Sequence, residues 1–171
     1  MSNRNFLVKP VTESKTHTMT VLVDNEPGVL ARVIGLFSGR GYNIDTLNVG
    51  PTHDPSLSRM TIVTRGDDAT VEQICKQLNK LIDVVKVVEF QRGGYIDREL
   101  VLVKIKADGS NRAEVAQLTE LFRGKIVDVQ AGSLVVELTG TEDKIEKFLA
   151  LAKDYGILEL TRTGQVALPR D

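Results

Sequence analysis

The sequence predicts an α+β protein built as two tandem ferredoxin-like βαββαβ units. Apolar periodicity switches between strand-like and helix-like stretches in the order β-α-β-β-α-β over residues 18–91. Gly93-Gly94 then interrupts the pattern, and beyond it the same order of elements begins again. With 171 residues, 42% of them hydrophobic, the chain can bury one ordinary core or two small ones, and the repetition selects two.

Met19, Val21 and Val23 alternate with polar or outward positions between Thr18 and Asp24, which predicts a strand. Leu30, Val33, Ile34 and Phe37 follow helical spacing and predict a helix from about Gly28 to Arg40, stopped by Gly39-Arg40-Gly41. The apolar parity changes between Tyr42 and Gly50, so this strand is expected to carry a bulge near Asp45-Thr46. A Pro51–Pro55 turn leads to a third strand through Met60 and Ile62. Asp68 is the expected cap of a second helix with Val71, Ile74, Cys75 and Leu78 inward, and a strand over Val84–Phe90 closes the unit.

The second unit opens with a strand through Val101, Val103 and Ile105, then an Asp108-Gly109 turn. Asn111 and Glu114 have capping-box spacing ahead of a helix with Val115, Leu118 and Phe122 inward. A hairpin follows over Ile126–Val129 and Leu134–Leu138. Thr141 is the expected cap of the last helix, whose stripe is Ile145, Phe148, Leu149 and Ala152, with Glu142 and Asp143 in its first turn where the macrodipole favours them. A strand over Ile157–Thr161 is expected to end the fold. The chain thus divides into a mobile tail (1–16), a first unit (17–92), a linker (93–97) and a second unit with a short tail (98–171).

Lysine plus arginine number 22 against 23 for aspartate plus glutamate, so no global field recruits nucleic acid or an anionic membrane. A lone cysteine excludes an internal disulfide, and no apolar run approaches the ~20 residues of a membrane span. The first sixteen residues lack the apolar segment of a secretory signal, and the reading is a soluble, cytoplasmic protein.

Catalytic candidates are few. His17 and His53 are not at metal-ligand spacing and are expected to be solvated, while Cys75 lies on a helical apolar stripe and reads as packing. Gly39-Arg40-Gly41 ends a helix instead of following a strand, which excludes a dinucleotide fingerprint, and the third strand has no aromatic on which RNA could stack. A small ferredoxin-like hydrolase would need Arg32 and Asn43 to converge on a phosphate. The remaining feature is the helix entrance Asn25-Glu26-Pro27-Gly28. It is either a tight turn or a cradle in which N–H groups around Asn25, Gly28, Val29 and Leu30 take a carboxylate, with Asn43 accepting an ammonium.

The stretch "NEPGVLARVIGLFSGRGYNIDTLNVGPTHDPSLSRMTI" (Asn25–Ile62) resembles the ACT domain of the small regulatory subunits of acetolactate synthase. The resemblance continues through Arg98–Ile105 and "FRGKIVDV" (Phe122–Val129), and covers residues 17–163. It implies a non-catalytic chain without a cofactor of its own. Its partner would be the large catalytic subunit, which uses thiamine diphosphate, Mg2+ and FAD in branched-chain amino acid biosynthesis. The small subunit would raise the activity of that partner and confer feedback inhibition, usually by valine. The resemblance places the effector loop on Asn25, Gly28, Val29 and Leu30 and the strand contacts on Asn43 and Ile44, in a homodimer of ACT domains paired side by side. Pro27 stands where relatives often have Ser, which leaves open which branched-chain amino acid is preferred. The alternative is an ACT module sensing an amino acid for another enzyme or a transporter.

Overall fold

Aliphatic and hydroxyl side chains alternate along the first strand, and both of its faces are covered. In the computed structural model, which describes residues 15–171, β1 (Lys15–Asp24) turns Met19, Val21 and Val23 toward a layer of helices. α1 (Val29–Gly39), β2 (Ile44–Pro51), β3 (Leu57–Gly66), α2 (Asp68–Leu78) and β4 (Val84–Glu89) complete the first unit. Its sheet is antiparallel in the order β2-β3-β1-β4. Phe37, Met60, Ile62, Ile74 and Leu78 fill the core. Each such side chain contributes about 1.5–3 kcal/mol through removal from water.

The second unit repeats the plan with β5 (Tyr95–Lys106), α3 (Arg112–Leu121), β6 (Lys125–Gln130), β7 (Ser133–Gly140), α4 (Glu142–Ala152) and β8 (Ile157–Arg162), in the order β6-β7-β5-β8. Val101, Val103, Ile105, Leu134, Val136, Leu138, Ile145 and Phe148 form its core. Phe122 meets Phe148 edge-on with ring centroids 5.4 Å apart. The bulge expected in β2 is present, since Ile44 pairs with Thr64 and Thr46 with Val63, leaving Asp45 unmatched.

Several local expectations are corrected. Of the expected tail, residues 1–14 lie outside the described residues, while Lys15 and Thr16 extend β1 opposite Gly66 and Arg65 because β3 runs far enough to pair them. The buried stripe of α1 is Val29, Val33 and Phe37, so Leu30 faces out and Ile34 is half-buried. Val29 stands four residues before Val33 and continues the inward row of Val33 and Phe37. Asp67, not Asp68, caps α2: its backbone is extended and its carboxylate accepts from the Thr70 N–H at 2.7 Å. Asn111 spends its side chain on the preceding loop, accepting from the Asp108 N–H and donating to the Lys106 carbonyl, so the capping box does not form. Thr141 is at the N-cap of α4 without a side-chain hydrogen bond to the helix.

The strand over residues 157–161 does not end the fold. β9 (Val166–Pro169) follows and pairs with the first residues of β5, Tyr95 to Arg98, which draws most of the expected linker into a strand. This ribbon lies against the first unit's sheet on the face away from its helices. There the Ala167 N–H reaches Thr61 Oγ1 at 3.4 Å, and Thr18 Oγ1 donates to Gln165 Oε1 at 3.3 Å. Thr18, Thr20 and Thr61 are buried in consequence.

Candidate functional site

Gly28 occupies the N-cap of α1 with φ 86° and ψ −9°, a left-handed conformation that glycine adopts without a Cβ penalty. Pro27 brings no N–H to the turn. The Val29 N–H makes a long 3.4 Å bond to the Glu26 carbonyl, and the Arg32 N–H bonds the Gly28 carbonyl at 3.1 Å. The N–H groups of Gly28, Leu30 and Ala31 have no acceptor among the described residues. α1 is also the one helix among the described residues with no acidic residue in its first turn: α2 has Asp68, α3 Glu114, and α4 Glu142 and Asp143. The positive end of its dipole is therefore left without a local anion.

Asn25 is not part of this open set. Its N–H bonds the Ser56 carbonyl at 2.7 Å, its amide donates to the Pro55 carbonyl at 3.0 Å, and its Oδ1 accepts from Ser58 Oγ at 3.1 Å. These three bonds tie the loop to the start of β3, so Asn25 positions the entrance instead of offering donors from it. Val29 is buried in the core, whereas Leu30 is exposed beside the open N–H groups.

Arg32 and Ala31 are additions that periodicity did not single out for this role. Arg32 Nε donates to Asp83 Oδ2 at 2.6 Å, and Nη1 lies 3.1 Å from where a Cβ on Gly28 would sit. The Asp83 carboxylate favours the charged guanidinium, holding its pKa above the ordinary value. Their signal in the sequence is proximity alone: Ala31 and Arg32 complete the first turn behind Gly28.

Asn43 and Ile44 stand at the other end of α1. Eleven residues at 1.5 Å each put roughly 16 Å of helix between the two sets. A single chain does not bring them together, and Arg32 and Asn43 do not converge as a hydrolase would need, since Arg32 is held by Asp83 and Asn43 by Asp45. The Asn43 amide donates to Asp45 Oδ1 at 2.7 Å, Asp45 Oδ2 accepts from Arg65 Nε at 2.7 Å, and the Asn43 carbonyl accepts from Thr64 Oγ1 at 2.5 Å. Asn43 and Asp45, two residues apart in extended chain, are both exposed. The Asn43 Oδ1 acceptor is left exposed, with no donor among the described residues.

Asn43 and Ile44 line a cavity of about 560 Å3 whose far wall belongs to the second unit. There Arg162 grips the buried Glu99 through two bonds of 2.6 and 2.8 Å and reaches Glu146 at 2.9 Å. The paired carboxylates push the Arg162 pKa well up, so the guanidinium is permanently charged. Elsewhere, His17 is not solvated: Nδ1 is 2.8 Å from Glu89 Oε1 and Nε2 3.2 Å from the Gly66 carbonyl. His53 is exposed. Burial pushes the Cys75 thiol up, with Glu89 adding to the shift, which suits a packing role. No group of three or more metal-ligating side chains occurs among the described residues, and no helix there is long and apolar enough to cross a membrane.

Comparison with known proteins bears on both units. The family model described as the AHAS small subunit-like ACT domain matches residues 19–86, and the model for the small subunit of acetolactate synthase matches residues 98–171. A probable acetolactate synthase small subunit of Archaeoglobus fulgidus is 53% identical over 154 residues, covering 90% of this chain and 96% of that protein. The acetolactate synthase isozyme 3 small subunit of Escherichia coli is 53% identical over 153 residues, covering 89% and 94%. Among solved structures, the acetolactate synthase small subunit from Thermotoga maritima superposes with a TM-score of 0.84 at 42% identity, covering 92% of this chain and 98% of that one.

Proposed function

Since the chain belongs to the acetolactate synthase small-subunit family, we propose that it binds the catalytic large subunit, raises its activity and makes it sensitive to valine. The observation that carries this reading is the α1 entrance, where three open N–H groups and Arg32 face a space with no acidic residue of the first turn. A free α-amino acid supplies the missing carboxylate, and its ammonium needs an acceptor such as Asn43 Oδ1. Two chains meet that need together. If a two-fold axis sets two copies of α1 antiparallel, the Gly28 end of one helix lies beside the Asn43 end of the other. β2, an edge strand of its sheet, is free to approach such a partner. Leu30 and Ile44 then offer apolar contact to a branched side chain.

In this proposal the effector site comprises Asn25 as anchor, Gly28, Val29, Leu30, Ala31 and Arg32 of one protomer, and Asn43 and Ile44 of the other. Residues 17–92 act as the ACT domain and 98–171 as the domain that works with it. Thiamine diphosphate, Mg2+ and FAD belong to the large subunit, and the complex works in the cytoplasm. Valine shifts the regulator between stimulating and non-stimulating arrangements only by its differential affinity for them, typically ~1–3 kcal/mol. The test is to mix the chain with a catalytic acetolactate synthase subunit and assay acetolactate formation with and without valine. Stimulation that valine reverses is the expected result, and the absence of both stimulation and valine sensitivity would sink the proposal.

A further inference from the structure

Building on the reading above, we infer that the ribbon of β9 and the start of β5, together with the adjoining edge of the first unit's sheet, is the surface that docks the catalytic subunit. Two hollows of about 430 and 320 Å3 adjoin on this face and share Pro51, Arg59 and Leu168, so they form one trough rather than separate closed pockets. Its walls expose large apolar side chains: Leu168 is 57% exposed, Ile96 47% and Val166 44%. Contiguous apolar surface rimmed by charge marks an interaction site on a folded protein.

The charge pattern selects the occupant. Arg59 and Arg98 border the larger hollow, and neither has a carboxylate partner among the described residues. Two unpaired guanidiniums beside an apolar trough fit a partner surface that presents an apolar side chain flanked by carboxylates, because arginine pairs carboxylates through two parallel bonds. A second copy of this chain fits badly. Isologous pairing through this face would gather Arg59 and Arg98 of both copies into one interface, with no carboxylate lining either hollow to neutralise them. The trough also lies on the sheet face away from α1, so it is free while the α1 entrance holds a ligand.

Both units build the trough, with Pro51 and Arg59 from the first and Ile96, Arg98 and Leu168 from the second. A partner seated there contacts both at once and responds to their alignment.

The experiment titrates a catalytic acetolactate synthase subunit with wild-type chain, with Leu168→Asp and with Arg59→Glu/Arg98→Glu. Calorimetry reads affinity for the large subunit, and valine binding and circular dichroism are followed in parallel. Both variants should bind the large subunit about 10-fold or more weakly, while valine affinity and the spectrum stay at wild-type values. Val127→Asp, an equally exposed apolar position on β6, should leave binding unchanged. Wild-type affinity in both trough variants overturns the inference alone, as does a variant that turns dimers into monomers with normal large-subunit binding. A wild-type chain that binds no catalytic subunit overturns the proposed function and this inference together.

Discussion

The first helices of the two units start in opposite ways. At α3 the loop supplies its own charge: Asp108 accepts from the N–H and hydroxyl of Ser110, at 2.8 and 2.5 Å, and Glu114 sits in the first turn. Arg112 folds back to donate to the carbonyls of Ala107, Gln130 and Ala131, at 3.2, 2.7 and 2.7 Å. Nη2 makes all three bonds, while Nε is buried without a partner among the described residues. At α1 the first turn holds no acid, Gly28 replaces a polar cap, and Arg32 leans over the gap. Each entrance begins the first helix of a unit with the same strand order, so the fold itself does not require the open one. The difference teaches that a helix whose dipole is answered internally has no use for a ligand, whereas one left unanswered is suited to an external carboxylate.

The largest effect is expected from closing the open entrance with a fixed charge. Gly28→Asp puts a carboxylate beside Arg32 and should weaken valine binding ~100-fold or more by displacement and repulsion. The left-handed backbone adds a stability cost of about 1–2 kcal/mol. Calorimetry with valine and a stimulation assay check this, and retained stimulation with lost valine response is the expected pair. Asn43→Ala removes an acceptor from the opposite end of α1 and should cost about 1.5–3 kcal/mol of valine affinity, with little change in melting temperature because the residue is exposed. If the affinity holds, Asn43 is no part of the site.

A smaller change would make α1 resemble the other helices. Ala31→Glu places an acid at the third helical position, from which it can reach back to the Gly28 N–H. It should raise the melting temperature by about 1–4 °C, the equivalent of 0.3–1 kcal/mol, and lower valine affinity about 10-fold. A stabilised variant with unchanged valine binding would break the link between the empty first turn and the ligand.

The smallest effect concerns the self-satisfied entrance and appears only with pH. Ser110 holds the Asp108 carboxyl below the usual carboxylate range, first through its hydroxyl and then through its N–H. A group depressed on folding stabilises the native state above its unfolded pKa, and that contribution disappears as pH falls through the lower, folded value. Asp108→Asn should therefore lose a little stability at neutral pH, and the gap to wild type should close on acidification. Urea titrations across the acid range measure it. A gap that is flat with pH would mean that shape, not charge, governs that turn.

Most of the architecture was legible from periodicity, because each strand or helix buries one face and repeats apolar residues at its own spacing. The β2 bulge was legible as a change of parity. The first inward residue of α1 was not: Val29 and Leu30 are both apolar and lie four and three residues before Val33, so spacing alone does not choose the buried Val29 over the exposed Leu30. β9 escaped because Val166–Pro169 is a short strand whose meaning depends on pairing with residues far upstream. For the same reason His17 reads as solvated from the sequence, since Glu89 and Gly66 meet it only across the finished sheet. The candidate site was half legible. Its loop could be picked out by composition and resemblance, but the engagement of Asn25 and the lean of Arg32 toward Gly28 depend on Ser56, Ser58 and Asp83, which no local pattern connects.

The ribbon formed by β9 bears on how the molecule opens as well as on how it is built. Its bond from Ala167 to Thr61 joins residues 106 positions apart, and its own pairing spans four residues of β5. A contact of such long range with so little local support forms late in folding and is released early under stress. Amide exchange at β9 would then be faster than in either core, and each excursion would wet the hydroxyls of Thr18, Thr20 and Thr61 while both sheets stay intact. The two halves would separate as a clasp opens, without either of them unfolding.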